Sequence, residues 1–409
     1  MVQKILHRLL WQRHYWRTVG FSELAELYAN RLLRLMAVNM VSGVVGIYMY
    51  QLDYPVWFIM VYFGLYFLAR ALWTMPAAYL IGRIGPKHSS FVSNVLAIPA
   101  LIALTQLEHL GVAALIIYAT MQTFCVTLYS IAHHVNFSKV KHQDHAGKEL
   151  GFMYIVEKVG TGLSPLIGGV VAYMYGPQAT MWAACIIFLV AAGPLFLSPE
   201  PIVTHQRVMF RGFNWRGTWR NLVSSAAIGI DSILSASTWS LYLAIAVFGT
   251  TSNVVYAQIG GLMTVAFVAS LLFSRMYGLL IDRRRGRELL MVSVIGDAVL
   301  NLVRPFVNTP ASAITVNVAN EAITAGYTMP YLKGQYDMAD NLPGYRIVYT
   351  ALMEAAISLG AALIGFVVAG LVLMVGEVRG MQVGYIVAAV AVLPIMMHGF
   401  AALSPRRRA

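Results

Sequence analysis

Apolar residues run with little interruption over 27–50, 55–81, 89–107, 111–135, 151–175, 178–197, 222–247, 254–280, 289–306, 311–335, 347–375 and 381–403. Each run approaches the roughly 20 residues that a helix needs to cross a hydrocarbon core. The pattern therefore predicts twelve transmembrane helices. The connections alternate in charge. One set carries Arg83 and Lys87, then Lys139, Lys141 and Lys148, then Arg207, Arg211, Arg216 and Arg220, then Arg283, Arg284, Arg285 and Arg287, and the chain ends on Arg406, Arg407 and Arg408. The other set holds a single Arg and no Lys. By the positive-inside rule the basic connections and both termini face the cytoplasm. Two basic ends independently require an even number of spans.

Composition agrees. Of 409 residues, 59% are apolar and only 11% are charged, whereas a soluble domain carries about 25% charged residues, so most of the surface faces lipid. This excludes a soluble enzyme and a nucleic-acid-binding module. The net charge of +12 belongs to membrane topology and needs no polyanionic partner. Cys125 and Cys185 lie far apart inside apolar runs and read as small buried hydrophobes. Residues 1–21 form a basic amphipathic segment at the membrane surface, with no cleavable signal.

The longest connection, 198–221, contains Pro199 and Pro201 and reads as a cytoplasmic linker between bundles of six helices at 22–197 and 222–403, with a basic tail at 404–409. The two halves repeat. Glu157 to Tyr173 reads EKVGTGLSPLIGGVVAY and Glu354 to Gly370 reads EAAISLGAALIGFVVAG, an ungapped match. Such duplication is expected of a carrier that rocks one half against the other around a site near the midplane.

Two motifs sharpen this picture. The turn after the second run holds Gly82, Arg83, Gly85 and Lys87, and its counterpart after the eighth holds Gly278, Asp282, Arg283 and Gly286. These resemble the GxxxDRxGRR loop of the major facilitator superfamily, with Gly82 where the family has Asp. In the fifth run Gly151, Gly160, Ser164, Pro165, Gly168 and Gly169 resemble the superfamily's antiporter motif, Ser164 replacing one Gly. Small residues at this spacing also serve plain helix packing. The resemblance implies an all-α integral membrane fold of twelve helices in two pseudo-symmetric six-helix bundles, with spans one, four, seven and ten around a central cavity. It also implies a cytoplasmic gate in which Glu157 pairs with Arg283 or a neighbouring Arg, and Glu354 with Arg83 or Lys87.

Ionisable groups at membrane depth are costly unless paired or hydrated, so each is a functional candidate. Span ten carries Asn317, Glu321, Thr324 and Thr328 on one face, and span seven Asp231, Ser235, Thr238 and Tyr242. Span four offers Thr123, Thr127, Ser130 and His134, and span one Arg34, Asn39 and Ser42. Glu321 and Asp231 are the candidate proton- or substrate-binding acids, and Arg34, the repeat counterpart of Asp231, is expected to pair with it across the pseudo-twofold axis. Arg70 compensates a cavity acid or anchors a carbonyl. Asp297, Asn301 and Arg304 on span nine satisfy one another in a structural role. His133, His134, His142, Asp144 and His145 read as a solvated cluster in preference to a metal site. No cofactor motif and no enzymatic motif is present. The resulting reading is a monomeric plasma-membrane transporter, of a bacterial inner membrane, exchanging protons for a small amphipathic or weakly cationic molecule. Its rivals are uniport or symport of a polar metabolite, lipid flipping, or a non-transporting receptor or assembly factor.

Overall fold

The computed structural model describes residues 21–140, 146–196, 208–250, 252–282, 285–342 and 344–400. The amphipathic segment at 1–20, the tail, His142, Asp144, His145 and Arg283 lie outside the described residues, as do the surroundings of Gly151 and Asp282. Among the described residues the elements are α1 (Phe21–Gln51), α2 (Val56–Ile84), α3 (Pro86–Thr105), α4 (Val112–Val140), α5 (Ala146–Tyr175), α6 (Pro177–Ala192), α7 (Trp215–Ile233), α8 (Val254–Asp282), α9 (Gly286–Val303), α10 (Pro310–Asp340), α11 (Arg346–Val375) and α12 (Glu377–Ala391). These match the twelve apolar runs.

Turn chemistry sets the breaks. Gly85 and Gly176 take φ of 85° and 88°, a conformation that only glycine reaches freely, and each is followed by a proline that opens the next helix at its first position. The helix expected from 222 starts earlier, at Trp215. The Asn214 side chain caps it by accepting from the Gly217 backbone N at 3.0 Å, a local signal that a hydropathy pattern does not contain.

Among the described residues eleven helices are long and apolar enough to cross a membrane. The twelfth, α10, has 31 residues but carries Asn317, Asn320, Glu321 and Lys333, polarity that protein contacts and not lipid must accommodate. Past Ile233 the α7 chain continues through a π turn (Leu234–Thr238), a helical turn (Trp239–Leu243) and a second π turn (Ala244–Phe248). Such bulges re-aim side chains and cluster at functional sites.

The two halves meet chiefly along α5 against α8 and α2 against α11. The α5 motif serves the contact with α8 and also the packing of α5 on α1. A Cβ at Gly168 would stand 2.6 Å from the Met40 carbonyl of α1, and one at Gly160 3.1 Å from that of Leu32. Gly169 and Gly260 let α5 and α8 backbones touch, against Tyr256 O and Pro165 O respectively. Ser164 turns its hydroxyl onto the Gly160 carbonyl. Gly260→Ala is therefore expected to destabilise the fold by about 1–3 kcal/mol through overpacking, read as a lower melting temperature of the purified protein; an unchanged melt would show that the two halves can separate freely there.

Candidate functional site

Between the halves lies a cavity of about 250 Å³. α1 contributes Asn39 and Ser42, α5 Lys158, α7 Ser235 from the π turn, and α10 Asn317, Asn320 and Glu321. Glu321 Oε2 meets Lys158 Nζ at 2.5 Å, joining the two halves, with the carboxylate still 28% exposed. Asn317 accepts from the Trp239 indole N–H at 2.5 Å. The cavity thus presents one cation and one anion held together, surrounded by amides and hydroxyls and by the apolar side chains of Trp239, Met263 and Phe267. An entering solute can compete for each of these groups.

Ties between the halves lie at both ends. The first is the end at which the 198–221 connection runs, called the linker end below. There Glu354 of α11, 4% exposed, accepts from Arg70 Nη2 of α2 at 2.7 Å and Ser130 Oγ of α4 at 2.8 Å, with His134 Nε2 at 3.5 Å. The His134 Nδ1 to Tyr336 hydroxyl contact, 2.6 Å, adds a tie from α4 to α10. At the opposite end Tyr256 donates to Gln51 Oε1 at 2.6 Å, Gln51 donates to Thr250 O at 3.1 Å, and Glu377 accepts from the Val56 N–H at 3.1 Å. These ties join the halves on either side of the cavity.

Several expected pairings are replaced. Glu157 meets Arg31 Nη2 of α1 at 2.6 Å, with His133 at 3.7 Å, and Glu354 meets Arg70. Glu354 does not pair with Arg83 or Lys87, and Arg283, the partner expected for Glu157, lies outside the described residues. Arg83 lies over the Tyr79 ring at 4.9 Å, and Lys87 is engaged by Glu26 at 3.2 Å. Lys87 is buried and already held by Glu26, and the cations that lie beside the two acids are Arg31 and Arg70.

Arg34 and Asp231 do not meet either. Arg34 binds Asn94 Oδ1 at 2.5 Å and Cys125 O at 3.2 Å, under the Tyr129 ring at 4.0 Å. Asp231 accepts from Ser235 at 2.7 Å and from the Tyr327 hydroxyl. Repeat-equivalent residues each point into their own bundle, so symmetry separates them. Among its described side chains span four contributes none to the cavity lining: Thr123 and Thr127 bond backbone carbonyls, and Ser130 and His134 serve the tie at the linker end. Of the six coupling candidates, the cavity gathers Glu321 and Asn317, while His134 and Arg70 join Glu354.

Lys158, Arg31 and Asn320 were not singled out in the sequence. The signal for the two cations was present, since each is charged within a membrane-length run. Arg304 goes beyond its expected structural role. It binds Asn301 Oδ1 at 2.8 Å as anticipated, but also reaches Ser235 Oγ at 2.8 Å and Asn320 Oδ1 at 2.6 Å on the cavity wall.

A curated relative, an uncharacterized MFS-type transporter of Methanocaldococcus jannaschii, is 20% identical over 357 residues, covering 83% of this chain and 89% of the relative. Among solved structures the chain is similar to the human organic anion transporter MFSD10, with a TM-score of 0.67 at 12% identity, covering 91% of this chain and 98% of that one. It is also similar to the nucleoside transporter NupG, with a TM-score of 0.65 at 11% identity and coverage of 93% and 99%. The fucose:proton symporter FucP of E. coli gives a TM-score of 0.63 at 13% identity, with coverage of 92% and 98%. These likenesses show the fold. The family model of the Major Facilitator Superfamily matches residues 27–319, and with twelve membrane-length helices built on an internal repeat around a central cavity, the chain belongs to the major facilitator superfamily of membrane transporters.

Proposed function

We propose that this protein is a monomeric secondary transporter of the plasma membrane, termini in the cytoplasm, exchanging a small polar solute for a proton by alternating access. The observation that carries the reading is the Lys158–Glu321 pair spanning the halves inside the cavity between them. Solute binding that opens this pair would change how the halves are joined, which is what a rocking carrier requires. The ion pair, amides and hydroxyls of the lining support a solute with polar groups, and Trp239, Met263 and Phe267 can take its apolar part. Relatives named for organic anions, nucleosides and fucose point the same way. The basic connections support the orientation, and the α5 glycine motif supports exchange.

The test uses proteoliposomes under an imposed pH gradient, challenged with cationic, neutral, zwitterionic and anionic compounds. Solute-evoked proton flux is expected in the parent and is expected to fall more than about tenfold in Glu321→Gln, the worth of one hydrogen bond to a charged group. Solute counterflow without proton movement would replace exchange by facilitated diffusion. Neither flux nor counterflow from any compound would overturn the transport reading in favour of a receptor or assembly role.

A further inference from the structure

The amides of the cavity divide into donors and acceptors once their partners in the wall are assigned. An indole N–H and a guanidinium can only donate. Asn317 therefore turns its amide oxygen to the Trp239 indole, and Asn320 turns its own to Arg304 Nη2 at 2.6 Å. What either amide has left to offer a solute is its NH2 group. A backbone carbonyl can only accept, so Asn39, whose amide nitrogen donates to the Leu35 carbonyl at 2.8 Å, retains its oxygen as an acceptor. With the ion pair added, the lining holds donors for an anionic group in Lys158, Asn317 and Asn320, and acceptors for a cationic group in Glu321 and Asn39.

The ion pair then restricts the charge of the solute. Lys158 and Glu321 hold each other at 2.5 Å, and a molecule that enters between them must replace each as the partner of the other. A neutral molecule offers neither charge. A singly charged one satisfies one residue and leaves the other unpaired at membrane depth, which is the costly arrangement. A zwitterion satisfies both, because its two charge-assisted sets of hydrogen bonds take the place of the original one. Beside these groups Trp239, Met263 and Phe267 offer apolar surface for a side chain. The cavity volume of about 250 Å³ lies below the roughly 300 Å³ at which sites for drug-sized ligands begin, so the molecule is small.

We infer that the solute is a zwitterion of the amino-acid type with an apolar side chain, its carboxylate taken by Lys158, Asn317 and Asn320 and its ammonium by Glu321 and Asn39. This rests on the reading of the cavity as the transport site. Lys158 and Asn39 belong to the N-terminal half, and Glu321, Asn317 and Asn320 to the C-terminal half. Each charged group of the solute therefore touches both halves, and binding exchanges the direct tie between them for one that passes through the solute.

The test compares matched molecules that share an apolar side chain and differ in charge: phenylalanine, phenethylamine and 3-phenylpropanoate, and in parallel leucine, isopentylamine and 4-methylpentanoate. Binding to the purified full-length protein is read by calorimetry at neutral pH, and counterflow is read separately in proteoliposomes. At least one of the two amino acids is expected to bind more than about tenfold tighter than both of its singly charged analogues, the worth of one hydrogen bond to a charged group. The preference should move in opposite directions in two variants. Lys158→Met keeps only the acid and should favour the amine, whereas Glu321→Gln keeps only the cation and should favour the carboxylate. Should one variant fail to fold, the other decides. Binding of neither amino acid, an analogue bound as tightly as its amino acid, or an unchanged order of preference in the folded variants would overturn the inference. Amino-acid binding without counterflow would uphold the zwitterion site and sink the transport reading, and counterflow confined to singly charged or neutral compounds would do the opposite.

Discussion

Glu354→Gln is expected to open the linker end of the molecule. The glutamate ties α11 to α2 through Arg70 and to α4 through Ser130 and His134. Removing its charge leaves the Arg70 guanidinium, whose side chain is 16% exposed, without its carboxylate. Breaking one partner of a buried ion pair costs about 3 kcal/mol or more, which shifts the equilibrium between closed and open forms about a hundredfold. Spin labels on the linker-side ends of α4 and α10 should report a new, longer distance in the variant, and a closed distance retained as in the parent would refute the tie. The repeat partner provides the contrast. Glu157 occupies the matching position, yet its partners Arg31 and His133 lie in its own half. Glu157→Gln should therefore lower the stability of the N-terminal half without changing the α4 to α10 distance.

That contrast also marks what a single sequence can convey. Helix number, their places along the chain and the duplication were legible because each span writes its own apolar run and the repeat needs no partner to be seen. The equivalence of Glu157 and Glu354 was legible for the same reason. Their partners were not, because pairing depends on which helices the fold sets side by side at one depth. Arg31 and Arg70 lie in other helices and carry no spacing signal linking them to Glu157 or Glu354. Glu321 stood out as an acid in mid-span, whereas Lys158, one residue after Glu157, was obscured by its neighbour. On a helix consecutive residues point about 100° apart, so Glu157 can face α1 and α4 while Lys158 faces the cavity. The α7 π turns that bring Ser235 to the cavity leave no trace in hydropathy. The antiporter-like glycines are visible in both forms, and in the structure each described one is where two backbones meet.

Lys158→Met should abolish transport while leaving a folded protein. The substitution strands the Glu321 carboxylate in the membrane interior, and transport is expected to fall about a hundredfold, equivalent to about 3 kcal/mol of lost charge pairing. Stability should respond differently from transport. In Lys158→Met/Glu321→Gln neither charge is stranded, so the double variant should melt above Lys158→Met alone, with a coupling energy of about 1–3 kcal/mol across the four proteins of the cycle. It should still transport nothing, because both solute-facing charges are gone. Strictly additive melting shifts would mean that the 2.5 Å contact contributes no energy to holding the halves together. Transport surviving in the double variant would move solute recognition away from this pair, onto Asn39, Asn317 and Asn320. With stability restored and transport absent, the pair would be a functional contact that the fold can do without, maintained in the membrane core for the solute that displaces it.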